Sequence, residues 1–199
     1  IWTHDSIGVG EDGPTHEPIE QLSTFRAMPN FYTFRPADGA ENVECWKVAL
    51  NLNAPCAFVC SRQGLNPLDE AKFGSVANGA YLIKESKNPQ ITLVASGSEV
   101  GLCLEAANLL ENSDIGVNVV SAPCFDLLCE QESSYIERIF APQTKVLAVE
   151  AATALEWYKF ANNVFGMSSF GASAPADELF KHFGFSATNI ANVAKEMLK

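Results

Sequence analysis

The sequence predicts an α/β protein of two consecutive three-layer units with mainly parallel sheets, on three observations. Four apolar runs of strand length, CAFVCS (56–61), ITLVAS (91–96), GVNVVSA (116–122) and KVLAVEA (145–151), are continuous rather than alternating. That is the mark of strands covered on both faces. Stretches with helical spacing lie between them, and strand–helix alternation points to a parallel sheet. A polar, turn-rich stretch, residues 64–79, separates the two sets of elements. The expected division is therefore 1–70 and 71–199.

In chain order, EPIEQLSTFRAM (17–28) reads as a helix, with Pro18 at the first helical position, where its missing N–H costs nothing. FYTF (31–34) reads as a strand. A helix over 40–50 follows, with Val43, Trp46, Lys47 and Leu50 spaced for one face. In the second unit GAYLIKE (79–85) is a strand. The helix after ITLVA begins with Ser96 and Glu99, which match a capping box, and carries the apolar stripe Val100, Cys103, Leu104, Ala107 and Leu110. A phosphate site at the adjacent glycine is disfavoured because Glu99 opposes an anion. Short helices are expected at CFDLL, at 131–140 and at 155–162, and a last short strand with a loop over 164–175. A helix over 177–183 precedes a C-terminal helix capped by Thr188, whose Ile190, Val193, Ala194, Met197 and Leu198 face inward.

Composition excludes several classes. The 199 residues are 47% hydrophobic, enough for a real core. A net charge of -11 leaves no basic stripe for nucleic acid. No apolar run reaches the ~18 residues of a membrane span, and no secretory leader pattern is evident, so a cytoplasmic protein is expected. The six cysteines, without CxxC pairs or neighbouring histidines, are expected to be reduced and not to bind zinc. The chain starts at Ile1 in mid-pattern, which predicts a fragment.

The densest chemistry lies in THDSIGVGEDGPTHEP (3–18), which holds His4 and His16, two of the three histidines, beside Asp5, Glu11 and Asp12. Three glycines and Pro14 make it a shaped loop rather than a regular element. Gly8, Gly10 and Gly13 spell G-x-G-x-x-G, but Glu11 and Asp12 at the variable positions would repel a dinucleotide phosphate, and Pro14 and Pro18 delay any helix. His182, alone beside Phe183, reads as structural.

The same loop resembles the signature of the transketolase family of thiamine-diphosphate enzymes. The likeness continues, in order, through FRPADGAE (34–41), SRQGL (61–65), ASGSEV (95–100) and FGASAPA (170–176), and so covers essentially the whole chain. It implies the end of a pyrimidine-binding domain followed by a C-terminal domain. It also implies transfer of a two-carbon ketol unit from a ketose phosphate to an aldose phosphate in the pentose phosphate pathway. The cofactors implied are thiamine diphosphate and a divalent cation (Mg or Ca), held mainly by parts outside this chain, with sugar phosphates as partners and a homodimer as the full-length enzyme. By position in the motif, His16 resembles the catalytic residue that contacts the substrate oxygen near the cofactor. His4 resembles a sugar-channel residue, and Asp12 the carboxylate that bonds a donor-sugar hydroxyl. Arg62 resembles the phosphate anchor, a task suited to the fork-shaped guanidinium. The fragment alone is expected to be inactive. The competing reading is a non-catalytic dimerisation or regulatory module of a related enzyme such as dihydroxyacetone synthase. Residues 80–199 hold no evident reactive cluster.

Overall fold

The computed structural model describes residues 1–68 and 76–199, so the boundary expected at residue 70, and part of the expected linker, lie outside the described residues. The first unit contains α1 (Gln21–Arg26), β1 (Tyr32–Phe34), α2 (Gly39–Ala49) and β2 (Cys56–Phe58). Strands β1 and β2 pair in parallel, Tyr32 opposite Cys56, and Trp2 adds a bridge to Val59. Parallel pairing follows because α2 carries the chain back to the starting edge.

The second unit contains β3 (Tyr81–Lys84), β4 (Ile91–Ala95), α3 (Glu99–Glu111), β5 (Val117–Ser121) and α4 (Phe125–Cys129). It continues with α5 (Ser133–Ile139), β6 (Lys145–Val149), β7 (Asn163–Phe165), α6 (Ala176–His182) and α7 (Ala187–Met197). Its five strands run in the order β3-β5-β4-β6-β7, parallel except for β3, which closes one edge antiparallel to β5. The period of two in a strand splits the sheet into two cores. Ile91, Leu93 and Ala95 pack with the Val100, Cys103 and Ala107 face of α3 and with Ile190 and Ala194 of α7. Val94, Val120 and Ala148 face the other way, onto Phe125, Leu128, Ile139 and Trp157. The three-layer expectation is met here, with a helical layer on each face.

Several local expectations are corrected. The first helix is six residues long and starts at Gln21, so Pro18 precedes it rather than occupying its first position. On α2 the buried residues are Glu41 and Cys45, whereas Val43 is 53% and Leu50 77% exposed. The reason is that Glu41 is pulled inward by hydrogen bonds from Tyr81, Ser121 and the Ala37 amide, which rotates the apolar stripe outward. Asp38 caps α2 by accepting from the Glu41 amide. Ser96 and Glu99 form no capping box: the residue flanking α3 is Ser98, and Ser96 and Glu99 both serve buried ion pairs instead. Ser186, not Thr188, caps α7. Leu155–Lys159 is a 3-10 turn rather than an α-helix. All six cysteines are free, with Cys45, Cys103 and Cys124 buried.

The two units meet along a polar seam. The Arg35 amide donates to the Pro123 carbonyl at 2.8 Å and the Gly97 amide to the Arg35 carbonyl at 3.0 Å. Asp126 accepts from the Thr33 amide at 2.8 Å, and the Tyr32 hydroxyl donates to Glu130 at 2.7 Å. That bond pushes the Tyr32 phenol up to about 12.

Candidate functional site

The loop over residues 3–18 is pinned from below by apolar side chains and from behind by charge. Ile7 and Val9 are buried. Asp5, buried beside His4, accepts from Arg35 Nε at 3.0 Å and from Nη2 at 2.7 Å. Arg35 also reaches Glu99 at 2.5 Å and the Ser96 carbonyl at 2.9 Å, so one fully buried guanidinium ties the loop to β4 and α3. Burial works against its charge, but Glu99, Asp5 and Glu150 outweigh that and raise its pKa. Arg26 completes the cluster, 2.6 Å from Glu150 and 2.5 Å from Glu156. Trp157 Nε1 and the Ser96 hydroxyl donate to Glu150 as well. Burial raises the Glu150 pKa, yet the two arginines win and hold it near 2. Glu99 goes the other way, raised by burial that Arg35 only partly offsets.

Above this anchor the backbone turns at Gly10 and Gly13, whose φ angles of 105° and 92° favour glycine. A single 3-10 turn, Pro14–His16, follows, closed by the His16 amide on the Gly13 carbonyl at 3.1 Å. No α-helix starts after the glycines, which removes the geometry that a dinucleotide fingerprint requires. The fold brings the two histidines together, with ring centroids 5.9 Å apart. Each imidazole is met by the threonine preceding it: Thr3 Oγ1 lies 3.0 Å from His4 Nδ1, and Thr15 Oγ1 lies 3.2 Å from His16 Nδ1. Pairing at Nδ1 leaves Nε2 of each ring for a ligand, and a neutral imidazole offers one donor and one acceptor. His16 is exposed and His4 half-buried.

Asp12 is exposed at the crest of the loop. Arg62 is exposed as well, on a segment packed against the loop through Gln63. A side chain at Gly8 would press on the Gln63 amide, with a Cβ only 2.5 Å from its Oε1. The 166–173 segment of the second unit closes the far side: the Gly13 amide donates to Ser173 Oγ at 3.2 Å, and Gly171 leaves no room for a Cβ beside Glu17. His182 sits exposed at the end of α6, edge-on to Phe183.

Sequence reasoning missed the supporting residues. Arg26 falls within the helix read over 17–28 and Arg35 within the FRPADGAE motif, neither marked as a site residue, and residues 80–199 read as chemically quiet, although Ser96, Glu99 and Glu150 there anchor the loop. A signal existed: Glu150 ends an otherwise apolar strand, where a carboxylate needs a buried cation.

Fold and site together define a two-unit α/β protein that presents a histidine pair on a glycine-shaped acidic loop. Residues 1–67 match the family described as transketolase, pyrimidine binding domain, and residues 79–186 the transketolase-like TK C-terminal domain. The chain belongs to the transketolase family. It is 44% identical over 206 residues to transketolase 2 of Aliivibrio fischeri, covering 100% of this chain and 31% of that relative. A crystal structure of transketolase from Campylobacter jejuni shares 58% identity at a TM-score of 0.94, covering 98% of this chain and 30% of that one. A Pichia stipitis transketolase in complex with sedoheptulose-7-phosphate shares 38% identity at a TM-score of 0.93, covering 98% of this chain and 29% of that one. The chain thus spans under a third of the length of these relatives. No helix among the described residues is long and apolar enough to cross a membrane.

Proposed function

We propose that this chain forms the sugar-facing wall of a transketolase, which moves a two-carbon ketol unit from a ketose phosphate to an aldose phosphate. The observation that carries the reading is the His4–His16 pair, 5.9 Å apart with each Nδ1 engaged by its own threonine. Two such imidazoles can share the proton traffic of adjacent sugar hydroxyls near neutral pH. His16 gives and takes the proton at the substrate oxygen beside the reacting carbon, and His4 lines the channel. Asp12 accepts from a donor-sugar hydroxyl, and Arg62 holds the substrate phosphate. The solved complex of a 38% identical transketolase with sedoheptulose-7-phosphate supports a ketose phosphate as the ligand.

Thiamine diphosphate, when bound, supplies the electron sink for cleaving the ketose carbon–carbon bond. The donor set of this chain fits the substrate side of that group and not its diphosphate side. Among the described residues no group of three or more His, Cys, Asp or Glu side chains is placed to hold a metal. Glu11 and Asp12 would repel phosphates. The cofactor and its divalent cation (Mg or Ca) are read as held mainly by polypeptide outside these 199 residues, as the family likeness implies. The same reading divides the chain into 1–70, the end of a pyrimidine-binding domain, and 71–199, a C-terminal domain. It makes the working enzyme a cytoplasmic homodimer of the pentose phosphate pathway.

The test is reconstitution. The chain is joined to the polypeptide that completes the length of its relatives, with thiamine diphosphate and Mg, and ketol transfer between sugar phosphates is followed. Turnover is expected from the completed enzyme and not from the chain alone. A His16→Ala variant of the completed enzyme with undiminished turnover would refute the assigned role.

A further inference from the structure

Glu17 follows His16 directly, and its side chain is fully buried. Its Oε1 accepts from the Gly10 amide at 3.1 Å, while its Oε2 is buried with no hydrogen-bond partner. A buried carboxylate normally gathers several donors or a cation, and this one has a single amide. The backbone and Cβ of Glu17 are backed closely by Gly171, where no side chain would fit. We propose that Glu17 is a positioning residue for the histidine pair: its protonated carboxyl holds the 10–16 loop in the arrangement described, and ionisation releases that loop.

The charge that acts on it most directly favours the neutral form. Asp12, on the same loop, adds a like charge. The 166–173 segment packed against Glu17 has the sequence GMSSFGAS and brings no titratable side chain. On its own stretch the neighbours are Glu11, His16 and, across the pair, His4; Glu20 caps the Ile19 amide. No lysine or arginine is bonded to it among the described residues. Burial, opposed in part by the Gly10 amide and reinforced by Asp12, lifts the Glu17 carboxyl to about 7. An ionised Oε2 must be hydrated, and the side from which water can enter is the loop from Gly10 to His16. Opening it breaks the Gly13–Ser173 hydrogen bond and moves Asp12 and His16 together. Calling this a substrate loop rests on the reading above; the proton-coupled movement does not.

The experiment is a pH titration of the 199-residue chain by NMR, following the Glu17 side-chain carboxyl carbon and the Gly10 and Gly13 amides from pH 4 to 9. The expected result is one shared midpoint near 7, with faster hydrogen exchange at Gly13 above it. Glu17→Gln should remove that step and keep Gly13 protected at high pH, and Asp12→Asn should lower the midpoint. If Glu17→Gln does not fold, the wild-type carboxyl titration and Asp12→Asn decide. A carboxyl midpoint in the ordinary range near 4.5, or a Gly13 step that persists in Glu17→Gln, overturns the proposal. None of these measurements needs turnover, so a failure of ketol transfer leaves their outcome legible.

Discussion

Arg35 Nη2 lies 2.7 Å from Asp5 Oδ2, and both side chains are buried. The pair joins the residue next to His4 to a guanidinium that simultaneously binds Glu99 on the second unit. The histidine loop is thus positioned by the C-terminal unit, through charge rather than through apolar packing alone.

Arg35→Met should be severely destabilising, by about 3–5 kcal/mol, because it strands two buried carboxylates. Urea denaturation of the chain measures this. A loss below about 1 kcal/mol would show that Asp5 and Glu99 find other partners. Asp5→Asn should cost less, since the amide oxygen still accepts from Arg35.

Arg62→Ala in the completed enzyme should raise the apparent KM for phosphorylated sugars far more than for unphosphorylated ones. Steady-state kinetics with matched substrate pairs checks it. Equal effects on both would remove Arg62 from the phosphate site. Because Arg62 is exposed, the melting temperature should stay within about 1 °C of wild type, as surface changes are usually near neutral.

Stability should carry opposing pH signatures from two glutamates. Glu17 stands at about 7 in the fold against an ordinary 4.5, so the folded state binds the extra proton. Its contribution is full below pH 4.5 and is lost as pH rises through about 7. Glu150 is held near 2, so its contribution is present above pH 4.5 and is lost as pH falls toward 2. The difference in unfolding free energy between wild type and Glu17→Gln should therefore grow in the variant's favour between pH 5 and 8. A flat difference across that range would contradict the assignment.

Gly79→Ala should destabilise by more than about 1 kcal/mol, since its φ is 82° and a Cβ would strike the backbone of Cys124 and Leu128. Leu110→Ala, at a fully buried site on α3, should cost about 2–5 kcal/mol. Thermal or urea melts of the two variants check both values.

Much of the architecture was legible from residue pattern alone. The mostly apolar runs at 91–95, 117–121 and 145–149 are strands buried on both faces at every position but the exposed Lys145, because only strands covered on both sides gain from apolar residues at successive positions. The stripe from Val100 to Leu110 locates α3, and the paired T-H dipeptides of the opening loop mark the histidines. Helix ends and the buried face of α2 were not legible. Ser96 and Glu99 have the spacing of a cap, but a buried arginine 61 to 64 residues away binds them more strongly than a helix terminus does. Val43 and Leu50 have the spacing of a core face, but Glu41 is drawn inward by Tyr81 and Ser121, which lie on other elements.

What the sequence determined by itself was therefore local and periodic: the strands, the long helices and the family signature, which makes His4, Asp12, His16 and Arg62 the candidates of the proposed site. Tertiary structure alone decided which charges are buried together. Arg26, Arg35, Asp5, Glu99, Glu150 and Glu156 are scattered over some 150 positions, and no spacing rule relates them. Their partnership follows from desolvation, which makes a buried charge depend on whichever opposite charge the fold brings within reach.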